Sequence, residues 1–517
     1  MNGFTAIVPI PSPNVDFGQI APMLIIFGAA FFSVLVEAFV KRQGRRPVQL
    51  VLVFAALIAA VVALVGLAGT RTLAAQESVA VDGPALFMQG TVLLLAIVGA
   101  LLIAERSVDP AGDAFAPRAS ALPGGREERE LTAASWSQTE VWPLFLFSVG
   151  GMLLFPASND LLTMFVALEV LSLPLYLLAG LARRRRLLSQ EASLKYFLLG
   201  AFSSAFFLFG TAMLYGFAGT FSLGGIADAL SGNAGDNGLV MLGVALLAVG
   251  LLFKVAAVPF HQWTPDVYQG APTPITAFMA TCVKVAAFGA LMRVMYVALG
   301  GVRWDWQPML WIIAILTMLV GVIVAIAQTD IKRMLAYSSI AHAGFILLGV
   351  IAVSEAGIAA TMFYLAAYGF ATLGAFAVIS LVRDSSGEAT HLSQWAGLGK
   401  RSPIVAGIFT LFLLAFAGIP LTSGFTSKFA VFSAAIAGGA TPVVIVAVFA
   451  SVISAFFYAR IIVLMFFAEP AEDGPLVVLP SAFTALALAI GVAVTVLLGV
   501  LPQPLLNLAQ QAGIFLR

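Results

Sequence analysis

Residues 241–289 read MLGVALLAVGLLFKVAAVPFHQWTPDVYQGAPTPITAFMATCVKVAAFG, and this stretch decides the fold. Two apolar runs flank a polar break, and each carries one lysine, Lys254 and Lys284, set among apolar neighbours. A run of about 20 apolar residues is long enough to cross a bilayer as a helix. Two further ionisable side chains lie in such runs, Glu169 in LLTMFVALEVLSLPLYLL and Lys428 in AGIPLTSGFTSKFAVF. One such charge at the bilayer centre costs about 2.5–3.5 kcal/mol, so four together oppose insertion by roughly 10 kcal/mol. Their retention requires a compensating partner or a function.

Working outward, the whole chain shares this character. Its 517 residues are 61% hydrophobic and 10% charged, with a mean hydropathy of +1.03, far from a soluble globular composition. The net charge of +1 is uninformative. The single cysteine, Cys282, lies in an apolar run, which excludes an intrachain disulfide and a cysteine-based metal or iron–sulfur site. His261, His342 and His391 lack metal-ligand spacing, and no phosphate-binding glycine loop occurs. The first apolar run, from about Ile20 to Val40, can span and has no basic stretch before it, unlike a cleavable signal.

Apolar runs give about fourteen helical spans, near 18–40, 48–69, 83–104, 140–157, 160–181, 192–218, 238–259, 272–299, 308–327, 334–353, 357–382, 403–418 continuing as 423–437, 441–467 and 477–501. The connections after spans 1, 3, 5, 9 and 11 hold seventeen Lys and Arg, including Arg183 to Arg186, against Arg71, Arg303 and Arg517 on the other side. The positive-inside rule then puts the basic loops in the cytoplasm and both termini outside. The arginine run itself reads as a topology anchor rather than a ligand site. Residues 105–138, mixed in charge and rich in Ala, Gly, Arg and Glu, read as a disordered or loosely helical cytoplasmic insert.

Prolines sit where the charges do. A helix proline removes the hydrogen bond to the carbonyl four residues earlier. Pro259 follows Lys254 by five residues and Pro174 follows Glu169 by five, so each is expected to free backbone beside an ionisable group. Gly418, Ile419, Pro420 and Gly424 interrupt the span of Lys428 more strongly. Discontinuous helices in a bilayer mark ion or substrate paths. Duller readings stand beside these: Lys195, about one turn into its span, snorkels to the interface as readily as it serves a relay. His342, among small residues, suits hydrogen-bonded packing as well as proton exchange.

Five segments together carry a resemblance: ALEVLSLPLYLLAG (167–180), EASLKYFLLGAFSSAFFLFG (191–210), FKVAAVPFHQWTPDVYQGAPTPITAFMATCVKVAAFG (253–289), QTDIKRMLAYSSIAHAGF (328–345) and AGIPLTSGFTSKF (417–429). They closely resemble the antiporter-like membrane subunits of bacterial proton-pumping NADH–quinone oxidoreductase, respiratory complex I, and among these subunit N, called subunit 2 in mitochondria and chloroplasts. The likeness runs from about Val141 to Phe467, while the first three spans match only in hydropathy and the 105–138 insert departs from the family core. It implies an all-α polytopic fold of about 14 transmembrane helices, with spans 4–8 and 9–13 forming two inverted five-helix repeats and broken helices at spans 7 and 12. The implied domains are 1–139 (three helices and the insert), 140–299 (first repeat), 300–467 (second repeat) and 468–517 (span 14).

Residue by residue, the resemblance implies roles in proton transfer for Glu169, Lys254, Lys284, Lys428, His342 and Lys195. Burial favours a neutral amine and a nearby carboxylate favours its charged form, so movement of Glu169 relative to Lys254 would switch that lysine. Lys254 is then the gate, Lys284 the centre, His342 a candidate intermediate and Lys428 the exit donor. The implied chain binds no cofactor itself; NADH, FMN, iron–sulfur clusters and quinone belong to other subunits of the translocase. Its implied partners are the adjacent antiporter-like subunit, small membrane subunits and lipid, with no nucleic acid, in a bacterial cell membrane. Two rival readings are a subunit of a multisubunit sodium/proton antiporter, against which WTPDVYQGAPTP speaks, and a non-pumping structural subunit, which leaves the lysine depths unexplained.

Overall fold

The computed structural model describes residues 15–110, 112–118, 120–122, 124–134, 138–232, 238–384, 387–470 and 474–517. Helices α1 (Ala21–Phe39), α2 (Arg42–Gly66) and α3 (Gly83–Ile103) come first, followed by a short α4 (Arg126–Ala133) in the insert. The expected first repeat holds α5 (Val141–Leu154), α6 (Leu161–Ala179), α7 (Arg186–Ala218), a short α8 (Leu223–Gly232), α9 (Gly238–Val255), α10 (Trp263–Gly270), α11 (Thr273–Phe278) and α12 (Lys284–Arg293). The expected second holds α13 (Arg303–Ile326), α14 (Ile331–Ile351), α15 (Glu355–Leu381), α16 (Leu398–Arg401), α17 (Pro403–Ala417), α18 (Ser423–Ala437) and α19 (Thr441–Phe467). Helices α20 (Ala482–Val500) and α21 (Gln503–Gln511) close the chain. Twelve helices among the described residues are long and apolar enough to cross a membrane. With the shorter apolar Val141–Ala157 and Pro403–Ala417 they account for the fourteen expected spans.

Local chemistry sets the helix starts. Asp82, Asp160, Asp330 and Ser354 each accept a hydrogen bond from the backbone N–H three residues on, at Ala85, Thr163, Arg333 and Gly357, satisfying a donor the helix leaves free. Packing relations recur between the halves: α5 lies on α6 and α7 on α9, as α13 lies on α14 and α15 on α18. The closest approaches match as well. A Cβ at Gly151 would overlap the Leu171 backbone of α6, and one at Gly321 would come 2.6 Å from the Ala341 nitrogen of α14. Small residues at such crossings let helix backbones touch.

The segment Thr273–Ala298 is enclosed except at half-buried Tyr296, and α14 and α15 are nearly enclosed, whereas α1, α2, α7, α13, α19 and α20 turn apolar side chains outward. Lys284 and His342 therefore stand on the enclosed central helices. Lys284 begins α12 directly after a π-helical turn at Met279–Val283, a widened turn often found at functional positions.

Several expectations change. Pro174 does not break its helix: α6 runs unbroken from Leu161 to Ala179, so Glu169 lies on a continuous span. The break of span 7 begins before Pro259, where α9 ends at Val255 and Ala256 turns left-handed (φ 65°), and the chain resumes as α10, which hydropathy alone did not indicate. The described part of the insert is pinned rather than loose. Buried Arg183 pairs with Asp113 at 2.7 Å, Arg184 with Asp109 at 3.1 Å and Arg186 with Glu128 at 3.1 Å. Three of the four arginines are thus paired with acids of residues 109–128, while Arg185 donates to the Thr390 hydroxyl at 2.7 Å.

On the opposite face the chain closes on itself. Arg293, fully buried, makes paired hydrogen bonds to Asp82 at 3.0 and 2.6 Å and donates to the Pro156 carbonyl at 2.7 Å. Phe515 covers the guanidinium at 4.9 Å, and the Leu516 N–H donates to Asp82 at 2.9 Å.

Candidate functional site: a line of buried ionisable groups

Lys254, Lys284 and Lys428 are each no more than 5% exposed. All three ammonium groups lie over aromatic rings, within the range at which a ring face attracts a cation. Lys254 Nζ is 5.4 Å from the ring centres of Tyr176 and Tyr196, Lys284 Nζ 5.4 Å from Tyr368, and Lys428 Nζ 4.8 Å from Phe345.

Their polar surroundings differ. Lys254, in the last turn of α9, has no hydrogen-bond partner, and neither has Oε1 of Glu169. The two do not hydrogen-bond to each other, although Glu169 is near enough for its charge to act on the lysine. The hydroxyls of Tyr176, Tyr196 and Thr264 are also buried without partners. A group of orphaned polar atoms in one place is costly as a dry core; it fits a site that water or a moving proton visits.

Lys284 donates to the Ser339 carbonyl at 2.6 Å and the Ser339 hydroxyl at 2.7 Å. The region between Lys254 and Lys284 is lined by rings, with Tyr196 stacked on Trp263 at 4.7 Å and Trp263 edge-on to Tyr268 at 6.3 Å.

His342 is held at both ring nitrogens: Nδ1 is 2.8 Å from the Tyr364 hydroxyl and Nε2 3.4 Å from the Tyr458 hydroxyl, which in turn bonds Ser338. Its ring lies 4.8 Å from that of Tyr368, over which Lys284 rests, and 5.8 Å from that of Phe345, over which Lys428 rests. A narrow gap of about 210 Å³, including its open mouth, is lined by His342 and Tyr364 and by Ser423, Gly424 and Ser427 at the start of α18. Lys428, one turn further, donates to the carbonyls of Phe416 and Ala417 at 3.0 Å each and to the Ser451 hydroxyl at 2.9 Å. Those carbonyls end α17, so the ammonium caps the negative end of a half-helix. Gly418 (φ 83°) makes the turn that permits this, and a Cβ there would come 3.0 Å from Lys428 Cδ.

Lys195 is not brought into this line. Its side chain is 42% exposed and pairs with Glu191 and Asp266, each at 2.7 Å. Asp266 also pairs with Arg333 of α14, so α7, α10 and α14 meet at this ionic knot on the basic-loop face. Partial burial there works to raise the Asp266 carboxyl, but hydrogen bonds from Lys195 and Arg333 hold it below the ordinary carboxylate value. Lys332, counted among the topology-setting charges, is buried. It donates to the Ala271 carbonyl and the Thr273 hydroxyl at 3.0 Å each, beneath a pocket of about 840 Å³ including its open mouth. Sequence reasoning missed the tyrosines and serines that hold these groups. The available signal was polar side chains inside apolar spans, as in AYSSIAH and FYLAAYG.

A sequence profile of the family described as "NADH:quinone oxidoreductase/Mrp antiporter, TM" matches residues 158–454, which contain all six candidate residues. A Rhodococcus opacus protein named NADH-quinone oxidoreductase subunit N is 64% identical over 527 residues, covering 98% of each chain. A protein of the same name from Mycobacterium tuberculosis is 57% identical over 530 residues, covering 98% of this chain and all of the relative. A chain of respiratory complex I from Thermus thermophilus with bound aureothin superposes with a TM-score of 0.75 at 35% identity, covering 94% of this chain and 98% of its own. A chain of the Mrp complex from Dietzia sp. shares the fold, with a TM-score of 0.80 at 24% identity over 96% of this chain and 97% of its own. Paired half-helices, enclosed lysines and these likenesses converge: the chain belongs to the NADH:quinone oxidoreductase/Mrp antiporter transmembrane family, among the subunit N members of NADH-quinone oxidoreductase.

Proposed function

We propose that this chain is a proton-translocating membrane-arm subunit of NADH–quinone oxidoreductase, moving protons from the basic-loop face to the face that carries the termini. By the positive-inside rule the basic-loop face is cytoplasmic. The observation that carries the reading is the continuity of the second half of the line. Lys284 rests on Ser339 and over the ring of Tyr368, which lies 4.8 Å from that of His342, and a narrow gap beside His342 leads on to the helix of Lys428. Lys254 takes up a proton when Glu169 is near and gives it up when Glu169 moves away, because a carboxylate stabilises the ammonium and burial opposes it. The proton passes to Lys284, then by way of His342 to Lys428, whose seat on the α17 carbonyls precedes release. Lys195, in the ionic knot at the basic-loop face, serves on the intake side.

The energy comes from quinone reduction in partner subunits, which hold the NADH, flavin and iron–sulfur sites. NADH-driven proton pumping by assembled complex in vesicles tests the reading. Lys254→Ala and Lys428→Ala are each expected to abolish transport through this subunit, and pumping unchanged in both would sink the relay. Sodium-dependent transport without NADH or quinone would instead favour the antiporter reading.

A further inference from the structure

A cleft of about 1020 Å³, including its mouth, opens on the basic-loop side between α5, α6 and α7. Gln138, Glu140 and Gln190 supply polar groups to it, and Ser193 and Leu194 form part of its α7 wall. Tyr176 also lines it. This residue lies seven positions after Glu169 on α6, two turns along the same helix face. It is 4% exposed, and its hydroxyl makes no hydrogen bond of good geometry, although Ser172, whose own hydroxyl donates to the Leu168 carbonyl, lies within reach. Its ring is 5.4 Å from Lys254 Nζ and meets Tyr196 edge-on at 4.7 Å. One side chain therefore borders both an open cleft and the buried ammonium.

Its position is tightly fixed. Ser193 donates to the Tyr176 carbonyl at 2.6 Å, and a Cβ on Gly200 would overlap the tyrosine hydroxyl. Glycine at 200 thus leaves room for that oxygen against α7. An orphaned hydroxyl kept in place by a missing side chain is not explained by packing, since phenylalanine would fill the same volume without an unsatisfied polar atom.

We propose that the α5–α6–α7 cleft is the intake route to Lys254 and that Tyr176 is its gating side chain. The ring walls the ammonium off from the cleft. The hydroxyl accepts a proton from a hydronium ion in the cleft, leaving water, while its own O–H proton passes to the neutral Lys254 amine to make the ammonium, so each transfer leaves the tyrosine neutral. The inference rests on Lys254 being the first relay lysine.

The test is NADH-driven pumping by assembled complex in vesicles, measured in water and in deuterium oxide. Tyr176→Phe keeps the ring and removes the oxygen. Its pumping is expected to fall by about tenfold, less than full loss of a positioned proton-transfer group because water partly substitutes. Its solvent isotope effect is expected to rise, while electron transfer from NADH to a soluble acceptor stays the same. Leu194→Trp fills the cleft from an exposed position, so it probes the route even if the tyrosine variant assembles poorly, and it is expected to slow pumping. Unchanged pumping and isotope effect in both variants overturn the inference. If Lys254→Ala abolishes pumping while both variants match the unsubstituted complex, only the cleft and Tyr176 are wrong; if Lys254→Ala has no effect, the underlying relay has failed.

Discussion

The two broken helices each carry a lysine, in opposite circumstances. Lys428 has three hydrogen bonds, two of them to the carbonyl end of its own broken span, whereas Lys254 has none and is surrounded by polar atoms that also have none. Fixed dipoles compensate the first charge in place. The second depends on Glu169 and on whatever reaches its pocket, so its charge is the more easily changed of the two. A relay needs one site that holds a proton against a fixed background and one whose hold can be altered. In the proposed relay the two lysines divide those duties, although α5–α6 and α7–α9 pack as α13–α14 and α15–α18 do.

This contrast can be broken most directly at Glu169. Glu169→Gln removes the nearby negative charge without altering volume, and NADH-driven pumping is expected to fall by on the order of 10²-fold, the lower end for loss of a positioned proton-transfer group; an unaffected rate would make the two lysines equivalent after all. A smaller effect is expected from Ser451→Ala, which takes away one of three partners of Lys428. The two carbonyls remain, so a stability loss of about 1–2 kcal/mol in thermal unfolding, with pumping slowed only modestly, is the expected outcome. A pumping loss as deep as that of Glu169→Gln would show the second half to be the more finely balanced.

The smallest effect concerns the knot that ties the halves together. Asp266→Asn is expected to cost about 0.5–1 kcal/mol, as for partly exposed ion pairs. Because Lys195 and Arg333 hold this carboxyl below its ordinary value, its contribution is present above the unfolded pKa and is lost as pH falls through the lower, folded one. The stability difference between Asp266→Asn and the unsubstituted chain should therefore shrink on acidification from the ordinary carboxylate range downward. A difference that grew instead would mean the knot strains the halves.

How much of this was legible depended on which residues carried it. The spans, the interruptions at Lys254 and Lys428 and the candidate charges were legible because a lysine in an apolar run and a glycine–proline break violate what lipid tolerates. Pro174 misled, since one missing backbone hydrogen bond inside a packed bundle leaves α6 continuous. Lys332 looked like a loop charge because hydropathy records distance along the chain, and its burial comes from Ala271 and Thr273 of another span. The insert looked loose because its acids find their arginines only after 183–186 is folded beside them. Tyr176, Tyr364 and Tyr458 are common residues in membrane helices, and only three-dimensional proximity to Lys254 or His342 distinguishes them.

The closure around Arg293 bears on how such a chain is made. Its guanidinium and Asp82 are in place once the first eight spans are threaded, yet the ring of Phe515 and the N–H of Leu516 that cover them follow span 14. Until then one side of the pair lacks its cover. Residues 515 and 516 thus act as a seal that cannot be made before span 14 is threaded, and a chain stalled in that span would leave it unmade.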